Sequence, residues 1–303
     1  MTDLKAMMRQ QRQAAETGPR PSIDELRSGM EEMLGALPAL PGYRYEPVSA
    51  GGVPAEWTEP EPAPGGAARP EGVLLYLHGG GYFQGSPRTH RRLVAALCRA
   101  GSLRGLSVDY RLAPEHPFPA AVEDAEAAYR WLTGPAGVDP ARVVVAGDSA
   151  GGGLTLALLL ALRDAGDRLP AGAYLLSPWT DLAATGGSLG TRADADPMIN
   201  PADIERTVGW YLNDGDRRHP LASPLYADLA GLPPLLVHVG DAEVLLDDSA
   251  RLVDRAAAAG VSVESEIWPE AFHVFQMMVG LIPEADEAVT RAGAWMGKLQ
   301  TNA

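Results

Sequence analysis

The residues Gly147-Asp148-Ser149-Ala150-Gly151 set one serine between two glycines, where the β-branched run Val143–Ala146 gives way to the unbroken apolar run Leu154–Leu162. The first run has the length and branching of a buried strand, and the second reads as a buried helix. The serine therefore sits on a strand-to-helix turn. Glycines at this spacing let strand and helix approach closely and let the turn residue take a strained backbone that exposes its hydroxyl. Such a turn suits a nucleophile. The same letters also describe a plain Gly/Ser turn, so the reading depends on finding partners: a base, an acid to orient it, and donors for a developing oxyanion.

Candidate donors lie at His78-Gly79-Gly80-Gly81-Tyr82, directly after Val73–Leu77. Three glycines leave backbone N–H groups unobstructed and able to point at an oxygen that gains charge during attack on a carbonyl, each donor contributing about 3–4 kcal/mol to the transition state. A phosphate cradle would instead need G-x-x-x-x-G-K-S/T, and no lysine lies here.

The elements that must position these loops follow from the rest of the chain. Residues 3–16 and 22–37 read as helices, the second opened by Ser22 with Glu25 three residues on, a capping box. Leu26, Met30, Met33 and Leu37 give it one apolar face, which suits either packing on its own domain or covering a pocket. Early strand candidates are Tyr43–Val48 and Val53–Trp57, followed by a Pro/Gly-rich loop at 59–72. From Val73 strands alternate with helices. Strand candidates are Val73–Leu77, Leu106–Asp109, Val143–Ala146, Ala173–Leu176, Leu235–Val239 and Val261–Ile267, with helices at 88–100, 119–133, 151–165, 247–259 and 284–299. That rhythm predicts a mainly parallel sheet covered on both faces, with reactive residues in loops beyond the carboxyl ends of its strands.

Composition excludes several partners. Across 303 residues, 25 Lys and Arg stand against 39 Asp and Glu, a formal net charge of -14, whereas nucleic acid and anionic membranes call for clustered basic residues. The lone cysteine, Cys98, rules out an intrachain disulfide. The start of the chain lacks the basic-then-apolar order of a secretory signal, so a cytoplasmic location is expected. Leu154–Leu162 is too short to span a bilayer.

HGGGY at 78–82, DYRLAPEHPFPAAVED at 109–124 and GDSAGG at 147–152 together resemble the hormone-sensitive-lipase-like carboxylesterases of the α/β-hydrolase superfamily, from about Trp57 to the last helix. The resemblance implies an α/β-hydrolase fold over 46–303, with residues 1–45 and the segment 185–215 forming a helical cap. It implies an oxyanion hole from the N–H groups of Gly80, Gly81 and Ala150, acyl chains of short to medium length, and a homodimer, often through the last strand and helix. The apolar face of 284–299, with Val289, Ala292, Trp295, Met296 and Leu299, fits that or packing on its own sheet. The middle motif, Tyr110 to Glu115, reads as a buried support for the glycine loop.

In this fold the chain order is serine, acid, histidine. Of six histidines, His78, His90 and His116 precede the serine, His219 sits in a loop, and His238 falls inside the run PLLVHV. His273 follows the last strand candidate and opens onto a loop, which makes it the expected base. Upstream of it Glu270-Ala271-Phe272 departs from the family's Gly-Met-Pro, while Val274-Phe275 matches. The loop 240–248 carries Asp241, Glu243, Asp247 and Asp248. The family pattern aligns its trailing aspartate with Asp247 and so implies Glu243 as the orienting acid, with Asp241 next in line. Asp247 and Asp248 suit a helix start, and Asp148 reads as holding the serine turn in place.

These roles describe a serine acyl-enzyme route acting on a small-molecule ester, with no metal or organic cofactor; a Cys/His cluster at metal spacing is absent from the sequence. Tyr82, Phe83, Trp179, Met198, Trp210, Tyr211 and Phe272 are candidate pocket walls, and each equally fits core packing. Two other readings stay open. The machinery could act on a lactone or other acyl derivative, or perform an elimination, or the scaffold could bind a ligand without catalysis.

Overall fold

In the computed structural model, which describes residues 2–18, 20–61 and 69–301, the apolar runs assemble into one sheet. Its strands are β1 (Tyr43–Ala50), β2 (Val53–Pro60), β3 (Val73–Leu77), β4 (Arg104–Val108), β5 (Val143–Asp148), β6 (Gly172–Leu176), β7 (Leu235–Gly240) and β8 (Val263–Trp268). The spatial order is β1-β2-β4-β3-β5-β6-β7-β8. β2 runs antiparallel to both neighbours, and every pairing from β4 to β8 is parallel. Parallel neighbours need long crossovers. The helices are α1 (Thr2–Thr17), α2 (Ile23–Gly35), α3 (Pro87–Gly101), α4 (Ala120–Thr133), α5 (Ala150–Ala165), α6 (Ser188–Thr191), α7 (Pro201–Leu212), α8 (Leu246–Ala258) and α9 (Pro283–Thr301). This is the α/β-hydrolase architecture that the sequence predicts.

Alternate residues of a strand serve opposite faces, and here both faces are covered. Leu75, Leu77, Val143 and Val145 pack on one side with Tyr129 and Leu132 of α4 and Leu154 and Leu158 of α5. Leu74, Tyr76, Val144 and Ala146 pack on the other with Leu93 and Leu97 of α3 and Ala288 and Ala292 of α9. That is why β3 and β5 are apolar at nearly every position. Val289, Ala292, Trp295 and Met296 are buried in this second layer, with Leu299 at its margin, so the apolar face of α9 packs on its own sheet.

Local chemistry sets most boundaries where the pattern placed them. Ser22 caps α2 and forms both bonds of the capping box with Glu25. The strand expected from Val261 starts two residues later, because the Val261 N–H still closes the end of α8 by donating to the Ala256 carbonyl at 3.0 Å. Of the loop expected at 59–72, residues 59 and 60 end β2 and residues 62–68 lie outside the described residues. Among the described residues no helix is long and apolar enough to cross a membrane.

The tightest point of the fold is the crossing of α5 over β3 and β5. A Cβ on Gly151 would stand 2.0 Å from the Leu77 carbonyl oxygen, and one on Gly147 would stand 2.2 Å from the Gly151 oxygen. Backbone meets backbone there, so neither side can yield. Gly151→Ala is therefore expected to destabilise the fold by about 3 kcal/mol, the upper end for overpacking. A thermal unfolding midpoint within a degree of wild type would contradict this.

Candidate active site

Ser149 occupies the junction between β5 and α5 with φ 53 and ψ -118, a region that costs a non-glycine residue roughly 1–3 kcal/mol. Its neighbours hold it there. The Ser149 N–H donates to the Leu176 carbonyl at 2.8 Å, and its own carbonyl accepts from Trp179 N–H at 2.8 Å and Gly152 N–H at 3.0 Å. Because Ser149 is the N-cap of α5, the Ala150 amide belongs to the unpaired N–H groups at the positive end of that helix.

The glycine loop is fixed to this turn through Asp148. Its buried carboxylate accepts from the Tyr76 hydroxyl at 2.7 Å and the Gly79 N–H at 2.9 Å, and it pairs with His90 Nε2 at 3.2 Å. Burial pushes the Asp148 pKa up, but the charge and hydrogen bond of His90 outweigh it and hold the group below the usual carboxylate range. Burial likewise opposes the charge on His90, and Asp148 outweighs it, leaving His90 above its ordinary pKa. His78 behaves oppositely. Burial, aided by the neighbouring His90, lowers its pKa to about 3.

The middle motif meets the loop as a support. The Tyr110 ring stacks on His78 at 4.2 Å, and its hydroxyl donates to the His78 carbonyl at 2.6 Å. The Ala113 N–H donates to the Tyr82 carbonyl at 2.9 Å. Arg27 of α2 reaches the same loop, donating to the carbonyls of Phe83 at 2.7 Å and Ala113 at 2.9 Å, with both Nη1 and Nη2 on the Glu115 carboxylate. So held, Gly80 and Gly81 adopt φ 114 and 61, and their N–H groups have no acceptor among the described residues.

The histidine and its acid sit at the ends of β8 and β7. His273 Nδ1 lies 2.7 Å from Glu243 Oε2, and both residues are buried. The other oxygen, Oε1, accepts from the Ser177 hydroxyl at 2.8 Å and the Gly240 N–H at 2.5 Å. Burial lowers the His273 pKa, and the hydrogen bond and charge of Glu243 reverse this, so it ends above the ordinary value. The remaining carboxylates are occupied elsewhere. Asp241 accepts from the Glu270 N–H at 2.7 Å, Asp247 from Ser188 N–H at 2.9 Å, and Asp248 from the N–H groups of Thr180 and Asp181. His90 also borders the cavity, yet both its ring nitrogens are engaged, Nδ1 with Thr89 and Ser86 and Nε2 with Asp148.

Ser149, His273, Gly80 and Gly81 line one cavity of about 650 Å³. Of the aromatic and methionine walls read from the sequence, Phe83, Trp179, Met198 and Phe272 line it. Tyr82, Trp210 and Tyr211 do not. Tyr82 and Tyr211 stack face to face at 3.8 Å and are buried, and Trp210 packs edge-on against Phe83 with the Arg206 guanidinium over its ring. Most of its apolar side chains come instead from α1, α2 and the turn after His273, including Leu4, Met8, Leu34, Met277 and Leu281. The apolar stripe Leu26, Met30, Met33 and Leu37 faces this cavity, and no residue of α2 is buried.

One site residue carries no signal in the pattern of the sequence. Asp196 is fully buried, and its carboxylate accepts from the N–H groups of Met198, Ile199 and Val244 at 2.8, 2.9 and 2.9 Å. It thereby joins a stretch of cavity wall to the residue beside Glu243.

The chain matches the family described as alpha/beta hydrolase fold over residues 74–277. It is 49% identical over 267 residues to an acetyl-hydrolase of Streptomyces hygroscopicus, covering 88% of this chain and 86% of that one. Among solved structures, it is similar to an esterase from the bacterial hormone-sensitive lipase family, with 46% identity, a TM-score of 0.92, and coverage of 99% and 97% of the two chains. EstE5 soaked with p-nitrophenyl butyrate is similar at 45% identity and a TM-score of 0.91, over 99% and 98%.

The electrostatics give a direct expectation. The His273 ring should titrate in an NMR experiment with a midpoint above the ordinary histidine value of about 6.5, since Glu243 outweighs burial. In Glu243→Gln the nearest favourable charge is gone and only the charges of Asp196 and Asp148 still oppose burial, so the midpoint should fall below that of the wild type. An unchanged midpoint would contradict the pairing.

Proposed function

The chain belongs to the α/β-hydrolase family, in its hormone-sensitive-lipase-like branch of carboxylesterases, and it is an ester hydrolase; from that premise we propose that Ser149, His273 and Glu243 carry the reaction. The observation that supports this most strongly is the 2.7 Å contact of His273 Nδ1 with a buried Glu243, on a cavity that also holds Ser149. With the Nδ1 proton donated to Glu243, Nε2 keeps the lone pair that takes a proton.

In the proposed route, Ser149 Oγ attacks the ester carbonyl carbon while its proton passes to His273 Nε2. The carbonyl oxygen becomes an oxyanion and accepts hydrogen bonds from the N–H groups of Gly80, Gly81 and Ala150, which are rigid before the substrate arrives. His273 then hands the proton to the departing alkoxide, and the alcohol leaves an acyl group on Ser149. Water repeats the sequence, with its proton taken by His273 and returned to Ser149 as the acid is released. Glu243 keeps the ring in the productive tautomer and stabilises the imidazolium.

The substrate class follows from the walls. Beside the polar machinery the cavity is lined mainly by aliphatic, thioether and aromatic side chains, with Gln84, Asn200, Asp203, Arg206 and Thr207 among them, which fits a small ester with a short to medium acyl chain. Residues 1–45 and 185–215 act as the cap in this reading. It is supported by Lys5 of α1, which donates to the Glu270 carbonyl at 2.8 Å near His273, and by Arg12, which donates to the carbonyls of Ala193, Asp196 and Ile199.

A p-nitrophenyl ester series from acetate to palmitate tests the proposal. Turnover should be greatest among the short and middle lengths. Ser149→Ala should remove it, and Glu243→Ala should lower kcat roughly 10³- to 10⁴-fold. Activity surviving in Ser149→Ala would move the nucleophile elsewhere, and activity surviving in Glu243→Ala would free the acid role for Asp241.

A further inference from the structure

The sequence contains nine methionines, and seven of them line this one cavity: Met7 and Met8 of α1, Met30 and Met33 of α2, Met198, and Met277 with Met278. Composition alone would scatter them. Methionine is unbranched and soft, so it moulds itself to tails of different shape. It also carries the one apolar side-chain group that mild peroxide converts into a polar one. Met7, Met33 and Met198 are 50%, 60% and 44% exposed, so these three methionines of the cavity wall are the ones most open to solvent.

We propose that these three thioethers are an oxidation site that sets acyl-length specificity, resting on the reading that this cavity receives the acyl group. A sulfur lone pair attacks one oxygen of hydrogen peroxide, the S–O bond forms as the O–O bond breaks, and the departing hydroxide takes up the transferred proton as water. The sulfoxide is polar where the wall was apolar. A long acyl tail laid against it must desolvate that dipole without a hydrogen bond in return, whereas an acetyl group carries no tail to lay against the wall. Oxidation thus narrows the enzyme to its smallest substrates. The reaction is reversible by methionine sulfoxide reductases.

The cysteine does not account for the same effect. Cys98 is the sole cysteine, it is buried, and burial holds its thiol well above the usual range, so it is not the reactive thiolate form. It lies in the α3 layer of the core, away from the cavity wall.

The test compares acetate and octanoate p-nitrophenyl esters before and after dilute hydrogen peroxide, each protein referred to its own untreated activity, with peptide mass spectrometry locating the added oxygens. Wild type should lose roughly tenfold in kcat/KM on octanoate and less than about twofold on acetate, with sulfoxide at Met7, Met33 and Met198, and reductase treatment should restore it. The triple variant Met7→Leu, Met33→Leu and Met198→Leu should keep its own octanoate-to-acetate ratio through the same treatment. Equal losses on both esters, or an equal octanoate loss in the triple variant, would overturn the proposal while leaving the ester hydrolase reading intact. Absence of turnover on either ester before treatment would overturn the proposed function and this inference with it.

Discussion

A buried carboxylate, Asp148, is the constraint on which the site depends. A charge taken out of water without partners would cost several kcal/mol, so the fold around it is obliged to bring donors. It brings the Tyr76 hydroxyl from β3, the Gly79 amide from the glycine loop and His90 from α3. No side chain fits between: a Cβ on Gly79 would lie 2.1 Å from the Asp148 carboxylate. The glycine loop and the serine turn are thereby locked in one register. Preorganised donors contribute to catalysis because nothing has to rotate as charge develops.

A second buried hub performs the same service for His273. Ser177, held at φ 45, donates its hydroxyl to Glu243 and accepts the Val274 N–H at 3.1 Å, so the acid and the histidine loop share one anchor. Asp196 extends that anchor outward by binding the amides of Val244, Met198 and Ile199. Its charge also favours protonated His273. The cavity wall at Met198 and Ile199 and the carboxylate paired with His273 are therefore mechanically continuous. Arg27 makes the corresponding link from α2 to the glycine loop.

Much of this was legible because the signals are local. Ser149 and the three glycines follow from turn geometry over a few residues, and the alternation of strands and helices follows from apolar periodicity. His273 needed only its place after the last strand and the chain order of the fold. The carboxylate partner of His273 was harder to read, since residue types left four carboxylates open and only the family pattern pointed to Glu243. The pocket was least legible. Tyr82 and Tyr211 have the composition of a wall, but whether an aromatic ring faces a cavity or a partner ring is decided by contacts across 129 positions of sequence, here a stack at 3.8 Å. The stripe on α2 marks an apolar face without saying what it meets. Asp196 carries no period or motif, and only its three backbone donors give it meaning.

The central claim is that Ser149 is the nucleophile on a turn built to expose it, and covalent trapping tests it most directly. A p-nitrophenyl alkylphosphonate should release one equivalent of p-nitrophenolate as activity disappears, and peptide mass spectrometry should find the phosphonyl group on Ser149. A label on another residue, or full turnover persisting once Ser149 is modified, would contradict the account.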